Sequence, residues 1–170
     1  ASPHKLLEVL SGEAGWRNVR VPVQTELTKR GHWGRWHWLA NSSDSARILI
    51  DCAHNEDGLR RTADAIQELN YLTLHIVFGA VSDKELTSVW EQLPSAAQYH
   101  FCAANIPRAL PVEQLVDLAQ KAARSGRAYA SVANALEGAK AGAETNDLIV
   151  VLGSIFVAAE ALSTAGSVKR

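Results

Sequence analysis

Short apolar runs, each followed by a segment of helical periodicity, leave this chain very few folds to adopt. Residues 47–51, 73–78, 99–103 and 147–152 read as buried strands, with a shorter one at 128–130. Leu59, Ala63, Ile66 and Leu69 mark a first helix that ends near Asn70. Leu86, Val89, Trp90 and Leu93 mark a second, and the S-x-x-E run from Ser82 to Glu85 supplies a capping box ahead of it. Pro111 opens a third, with Leu115, Leu118, Ala119 and Ala122 as its buried stripe and Gly126 as its stop. A small-residue helix over 132–143 and a last one over 155–162 complete the pattern. Strands that alternate with helices through short connections belong in a parallel sheet covered on both faces. The expected fold is therefore α/β: a Rossmann-like three-layer domain with a mostly parallel sheet.

The N-terminal stretch reads differently, as an appended piece. Ser2-Pro3 ahead of Leu6, Leu7, Val9 and Leu10 predicts a capped amphipathic helix over 1–15. Residues 16–27 are ambiguous, because Val19, Val21 and Val23 alternate like a strand while Pro22 argues for an edge or a lead into a short helix. A turn at 31–34 leads to a strand over 35–40, with Trp36, Trp38 and Ala40 on one side and Arg35, His37 and Leu39 on the other. A polar loop over 41–46 follows. The chain begins at Ala1 and contains no methionine, so we expect a fragment or processed piece of a larger protein.

Residues 48–59, ILIDCAHNEDGL, are the most reactive-looking corner of the chain. A buried strand runs into Asp51, a small-residue turn follows at Cys52-Ala53, and a helix begins just beyond His54 and Asn55. Ligands in open α/β sheets sit at such carboxyl ends of strands. The topology should gather Asp51, His54, Gly79, Ser82, Asn105, Ser131 and Ser154 along one sheet edge. Asp51 either caps the turn or bonds a ribose hydroxyl or a metal-bound water, and His54 either serves the structure or contacts a phosphate or carboxylate. Asn55 is the expected N-cap. Glu56 and Asp57 suit the helix dipole and argue against a phosphate seated directly on that terminus. Arg35 is a solvated group or a bidentate phosphate grip. Lys84 stands in the first turn of its expected helix, a poor place for a cation, which favours a ligand role. Arg108, between two prolines, is a loop anchor or a ligand. Ser154 is an N-cap or a carboxylate contact. The tryptophans at 33, 36 and 38 read as packing, since no basic patch accompanies them.

Several functions are set aside. A net charge of −1 gives no electrostatic reason for a nucleic acid or an anionic membrane as partner. The longest apolar stretch, 148–159, is broken by Gly153-Ser154 and too short to span a bilayer. Cys52 and Cys102, the only cysteines, lie in apparent strands, so a reducing cytoplasmic setting is expected in place of a disulfide framework. There is no G-x-x-x-x-G-K-[ST], no G-x-G-x-x-G, no zinc spacing of Cys and His, and no G-x-S-x-G elbow. The residues alone thus give an α/β domain with one edge rich in possible anion contacts, and no metal site.

Five blocks sharpen this: GRW at 34–36, DCAHNEDGL at 51–59, VFGAVSDKE at 77–85, NIPRALP at 105–111 and LGSIFVAAE at 152–160. In this order and spacing they resemble the C-terminal domain of folylpolyglutamate synthase, often bifunctional with dihydrofolate synthase, of the Mur ligase superfamily. Glu56 stands where that family usually has proline, and Cys52 where it has glycine or another small residue. A peptidoglycan Mur ligase domain is the nearest competitor. A non-catalytic Rossmann-like binding module is the rival from another class.

The resemblance implies an ATP-dependent amide ligase. ATP phosphorylates a carboxylate, and the amino group of glutamate attacks the acyl phosphate. It divides the chain into a connector over 1–30 and a ligase C-terminal domain over 31–170, with the partner N-terminal ATPase domain holding the P-loop, most magnesium ligands and the pterin pocket. By motif position Arg35 would reach the ATP phosphates or ribose, and Asp51 the ribose. His54 would lie near the transferred phosphate or the incoming glutamate, with Lys84 and Ser154 holding that glutamate. ATP, Mg2+, glutamate and a folate are the ligands implied, in the cytoplasm.

Overall fold

The computed structural model describes residues 34–39 and 44–166. The helix expected at 1–15, the ambiguous stretch 16–27, Trp33 and Ala40 lie outside the described residues. Six strands, β1 (His37–Trp38), β2 (Arg47–Ile50), β3 (Leu74–Phe78), β4 (Gln98–Phe101), β5 (Gly126–Ala128) and β6 (Leu148–Leu152), form one sheet in the order β1-β2-β6-β3-β4-β5. Every pairing is parallel except that of β1 with β2, where His37 stands opposite Ile50. The expected strand at 35–40 thus shortens to a two-residue antiparallel edge.

Five helices, α1 (Glu56–Gln67), α2 (Thr87–Gln92), α3 (Val112–Lys121), α4 (Val132–Gly142) and α5 (Ile155–Gly166), cover both faces. Strand alternation decides which face each side chain serves. In β6, Leu148, Val150 and Leu152 join the core under α1, α2 and α3 with Leu59, Ile66, Trp90 and Leu115. Ile149 and Val151 join the opposite core with Leu136 and Ala139 of α4 and Val157 and Ala161 of α5. All five β6 side chains are buried, which explains the unbroken apolar run. Removing each from water is worth about 1.5–3 kcal/mol. The expected three-layer α/β architecture is the one observed. Trp36 and Trp38 pack on the first core and Leu39 on the second, as their alternation predicts.

Tertiary partners move three local expectations. Ser82 does not cap α2: its N–H (2.9 Å) and hydroxyl (3.2 Å) both donate to the Arg108 carbonyl. The helix starts at Thr87, where the Glu85 carboxylate accepts the Thr87 N–H at 3.0 Å and hydroxyl at 2.6 Å. Gly126 does not stop α3; the left-handed residue after that helix is Ala123, and Gly126 opens β5 opposite Tyr99. Leu118 is 38% exposed, because α2 is short and leaves a groove of about 550 Å³ lined by Leu118, Lys84, Trp90 and Arg124. Arg124 Nη2 donates from this groove to the Trp90 and Leu93 carbonyls, both at 2.8 Å.

A polar chain crosses the sheet on the α4 side. Asp147, just before β6, accepts the Thr73 N–H (2.9 Å) and the Glu144 N–H (2.8 Å). His75 Nε2 lies 3.4 Å from its carboxylate, His75 Nδ1 lies 3.3 Å from His100 Nε2, and His100 Nδ1 lies 3.1 Å from the Tyr129 hydroxyl. His75, His100 and Asp147 are all buried.

Candidate functional site

The sheet order creates the site. β2 and β6 are neighbours, yet α1 leaves β2 toward one face and α5 leaves β6 toward the other. The two connections part company above the strand ends, which makes this the topological switch point, the position where doubly wound sheets place a ligand crevice. The Gly153 N–H donates to the Ala53 carbonyl at 2.9 Å, so the β2–α1 and β6–α5 corners are bonded to each other. Gly153 has φ +107°, and a Cβ on it would collide with the Gly79 carbonyl and the Phe78 ring. Only glycine allows β6 to turn this sharply into α5.

Asp51 is 8% exposed at the end of β2. Its Oδ2 accepts the Trp36 N–H at 2.7 Å and its Oδ1 the Ala53 N–H at 2.8 Å. Burial pushes its carboxyl above the usual carboxylate range, against the pull of those two N–H groups, the Arg35 charge and the Thr62 hydroxyl. His54 is exposed one turn further on, with Nδ1 at 3.0 Å from the Cys52 carbonyl. Asn55 is the N-cap of α1: its Oδ1 accepts the Gly58 N–H at 2.9 Å. Arg35 is exposed in the turn ahead of β1.

Ser154 is buried, and its hydroxyl oxygen accepts the Phe156 N–H at 3.0 Å, so it caps the first turn of α5 while keeping its own O–H as a donor. The Arg108 guanidinium lies 5.7 Å from the centre of the Phe156 ring and 3.9 Å from the Asp83 carboxylate. That ion pair is solvent-exposed and worth little by itself; the loop pairing through Ser82 fixes the position. Arg35, Asp51, His54 and Ser154 thus lie on turns at the β2 and β6 ends that are bonded to one another through Trp36–Asp51 and Gly153–Ala53, and Arg108 packs on Phe156 of α5. Lys84 is placed differently: it lines the α2–α3 groove. Thr62, Asp83 and Phe156 were missed from sequence. Thr62 carries a signal, since it falls on the buried stripe of α1 with Leu59, Ala63 and Ile66. Among the described residues no group of three His, Cys, Asp or Glu side chains is placed to hold a metal ion.

The sheet order and the helices on both faces define a doubly wound α/β domain. Residues 34–155 match the family model for the Mur ligase, glutamate ligase domain, and the chain belongs to that family. It is 34% identical over 157 residues to a probable bifunctional folylpolyglutamate synthase/dihydropteroate synthase of Haloferax volcanii, covering 87% of this chain and 18% of that one. It is 29% identical over 181 residues to the folylpolyglutamate synthase of Lacticaseibacillus casei, covering 93% of this chain and 40% of that one. The chain thus spans well under half the length of these relatives. A bifunctional folylpolyglutamate synthase/dihydrofolate synthase solved with Mn, AMPPNP and L-glutamate bound superposes with a TM-score of 0.68 at 22% identity, over 78% of this chain and 31% of that one. That last likeness is one of fold. No described helix is long and apolar enough to cross a membrane.

Proposed function

We propose that this chain is the C-terminal domain of a cytoplasmic, ATP-dependent ligase that adds L-glutamate to a folate, as tetrahydrofolylpolyglutamate synthase, dihydrofolate synthase or both. In this reading residues 1–30 connect it to an N-terminal ATPase domain, and 31–170 form the half that closes over the nucleotide. What supports it is the glutamate ligase family match over residues 34–155, together with the bonding of Asp51 to the turn that carries Arg35 and of the β2–α1 corner to the β6–α5 corner.

The reaction runs in two displacements. A substrate carboxylate oxygen attacks the γ-phosphorus of ATP and ADP leaves; the glutamate amine then attacks the acyl carbon, and phosphate leaves with the C–O bond. Magnesium, held mainly by the N-terminal domain, neutralises phosphate charge when bound. The chain's own part is to present groups around that charge. Arg35 and Asp51 make the nucleotide side, with the guanidinium suited to bidentate contact with phosphate oxygens. His54 faces the transferred phosphoryl group or the incoming amine. Ser154 holds a carboxylate of glutamate through its O–H; Lys84, which lines the α2–α3 groove, is not assigned to that contact. Arg108, stacked on Phe156, bounds the crevice beside Ser154.

The test is the substrate range of the longer polypeptide that carries this chain. With ATP, Mg2+ and L-glutamate it should form ADP, phosphate and a glutamylated product from dihydropteroate or tetrahydrofolate. Turnover of UDP-muramoyl substrates alone would overturn the assignment.

A further inference from the structure

The loop between β4 and α3 is pinned at both ends. At its head the Asn105 N–H donates to the Glu160 carboxylate of α5 at 2.6 Å. At its tail the Leu110 N–H donates to the Ala80 carbonyl at 2.9 Å, and Ala109 pairs with Val81 in an antiparallel bridge. The main chain of Arg108 is fixed as well, since its carbonyl accepts both the N–H and the hydroxyl of Ser82. A loop held this way has little backbone freedom left to lose when a ligand arrives.

The side chain it presents is a cation with its donors to spare. The guanidinium lies 5.7 Å from the centre of the Phe156 ring, and its ion pair with Asp83, at 3.9 Å, is too long and too exposed to occupy it. Arginine carries its N–H groups in a planar fork matched to a carboxylate, and an aromatic face leaves the edge of that plane free. The ring concerned belongs to the site: the Phe156 N–H donates to the Ser154 hydroxyl oxygen at 3.0 Å, so both residues stand at the start of α5. Phe156 and Glu160 lie one turn apart on that helix, and together they hold the middle and the head of the same loop.

We propose that Arg108 is a specificity residue for the incoming amino acid: its guanidinium takes the side-chain carboxylate of glutamate, and Glu160 is the positioning residue for the loop that presents it. The inference rests on the reading in which Ser154 holds a carboxylate of glutamate. The carboxylate next to the reacting amine belongs nearest the corner, where Gly153 is bonded to Ala53 and His54 follows. The other, at the far end of the amino acid, then falls outward along α5, toward the turn that carries Phe156 and Arg108. A cation there separates glutamate from glutamine, whose amide offers no charge to pair.

The longer ligase polypeptide tests this with ATP, Mg2+ and a folate at saturation. Arg108→Ala should raise the KM for L-glutamate about tenfold or more and leave the KM for ATP within a factor of about two. The preference for L-glutamate over L-glutamine, as a ratio of kcat/KM values, should fall by a similar factor. Arg108→Lys keeps the charge but loses the fork and should lie between. Glu160→Ala should raise the KM for glutamate with kcat little changed, and Glu160→Gln should restore it, because an amide oxygen still accepts the Asn105 N–H. In an R108A background E160A should add nothing, since no guanidinium remains to be positioned. Wild-type KM and preference in R108A, or an equal rise in the KM for ATP, would overturn the role of Arg108. Multiplying effects in the double variant would overturn that of Glu160. A wild-type enzyme that accepts no L-glutamate would instead overturn the glutamate reading itself, before any variant is made.

Discussion

Because His54 Nδ1 lies 3.0 Å from the Cys52 carbonyl, which can only accept, Nδ1 donates to it and Nε2 is the edge of the exposed ring left for a ligand. The protein thus uses one edge of the ring to aim the other. Asn55, directly beside it, spends its side chain on the α1 cap and has no comparable edge to offer. His54→Ala should therefore spare the fold and lower turnover of the longer ligase about 10²-fold, in the range of lost acid–base or charge stabilisation. Steady-state ADP release with saturating glutamate checks it, and full activity would remove His54 from the site. The places of Asp51 and His54 were legible because they follow a buried strand by one and four residues, which is where α/β sheets place chemistry. Asp83 and Phe156 join the corner only through contacts between elements, and nothing local announces that.

The elements carry their own chemistry in the chain from Tyr129 through His100 and His75 to Asp147. The Asp147 carboxylate can only accept, so His75 Nε2 donates to it, and the two imidazoles and the Tyr129 hydroxyl follow in line. His100 is pushed down to about 4, first by burial and then by His75 and Arg127. Its ordinary value is 6.5, so the unfolded chain takes up a proton as pH falls below that point while the folded chain refuses it until about 4. Stability from His100 is complete above 6.5 and lost across the window from there to about 4. Urea midpoints measured across that window should fall, and His100→Gln should flatten part of the slope even though it weakens the fold at pH 7. Parallel slopes in the two proteins would assign the loss to other groups. None of this was visible in the sequence, where His75 and His100 sit in runs that read simply as strands; the β3–β4 register, setting His75 beside Gln98 and Val77 beside His100, brings them together. The start of α1 was legible from Asn55, the acidic first turn and a clean stripe, all local. The start of α2 was not, because the partner of Ser82 lies 26 residues away.

At the scale of the molecule, the proposed function makes this domain one wall of a site. The family contains glutamate ligases in which this kind of domain makes up less than half of the chain. The described residues offer cations and a histidine but no cluster for a metal, and the sequence holds no phosphate-cradling glycine loop. The purified 170-residue chain is accordingly expected to fold cooperatively and to release no phosphate from ATP, with or without glutamate and a folate. A coupled phosphate assay checks this, and measurable turnover would show that the wall is a complete enzyme. The sheet order has a further consequence for how the domain is made. β6 lies between β2 and β3, bonded to both, yet it follows them by about seventy residues or more of chain. Until the ribosome has delivered that segment, the earlier strands have no shared neighbour and their edges stay bare, so biogenesis is gated by the arrival of a keystone and a stop codon placed before it would leave an aggregation-prone nascent product.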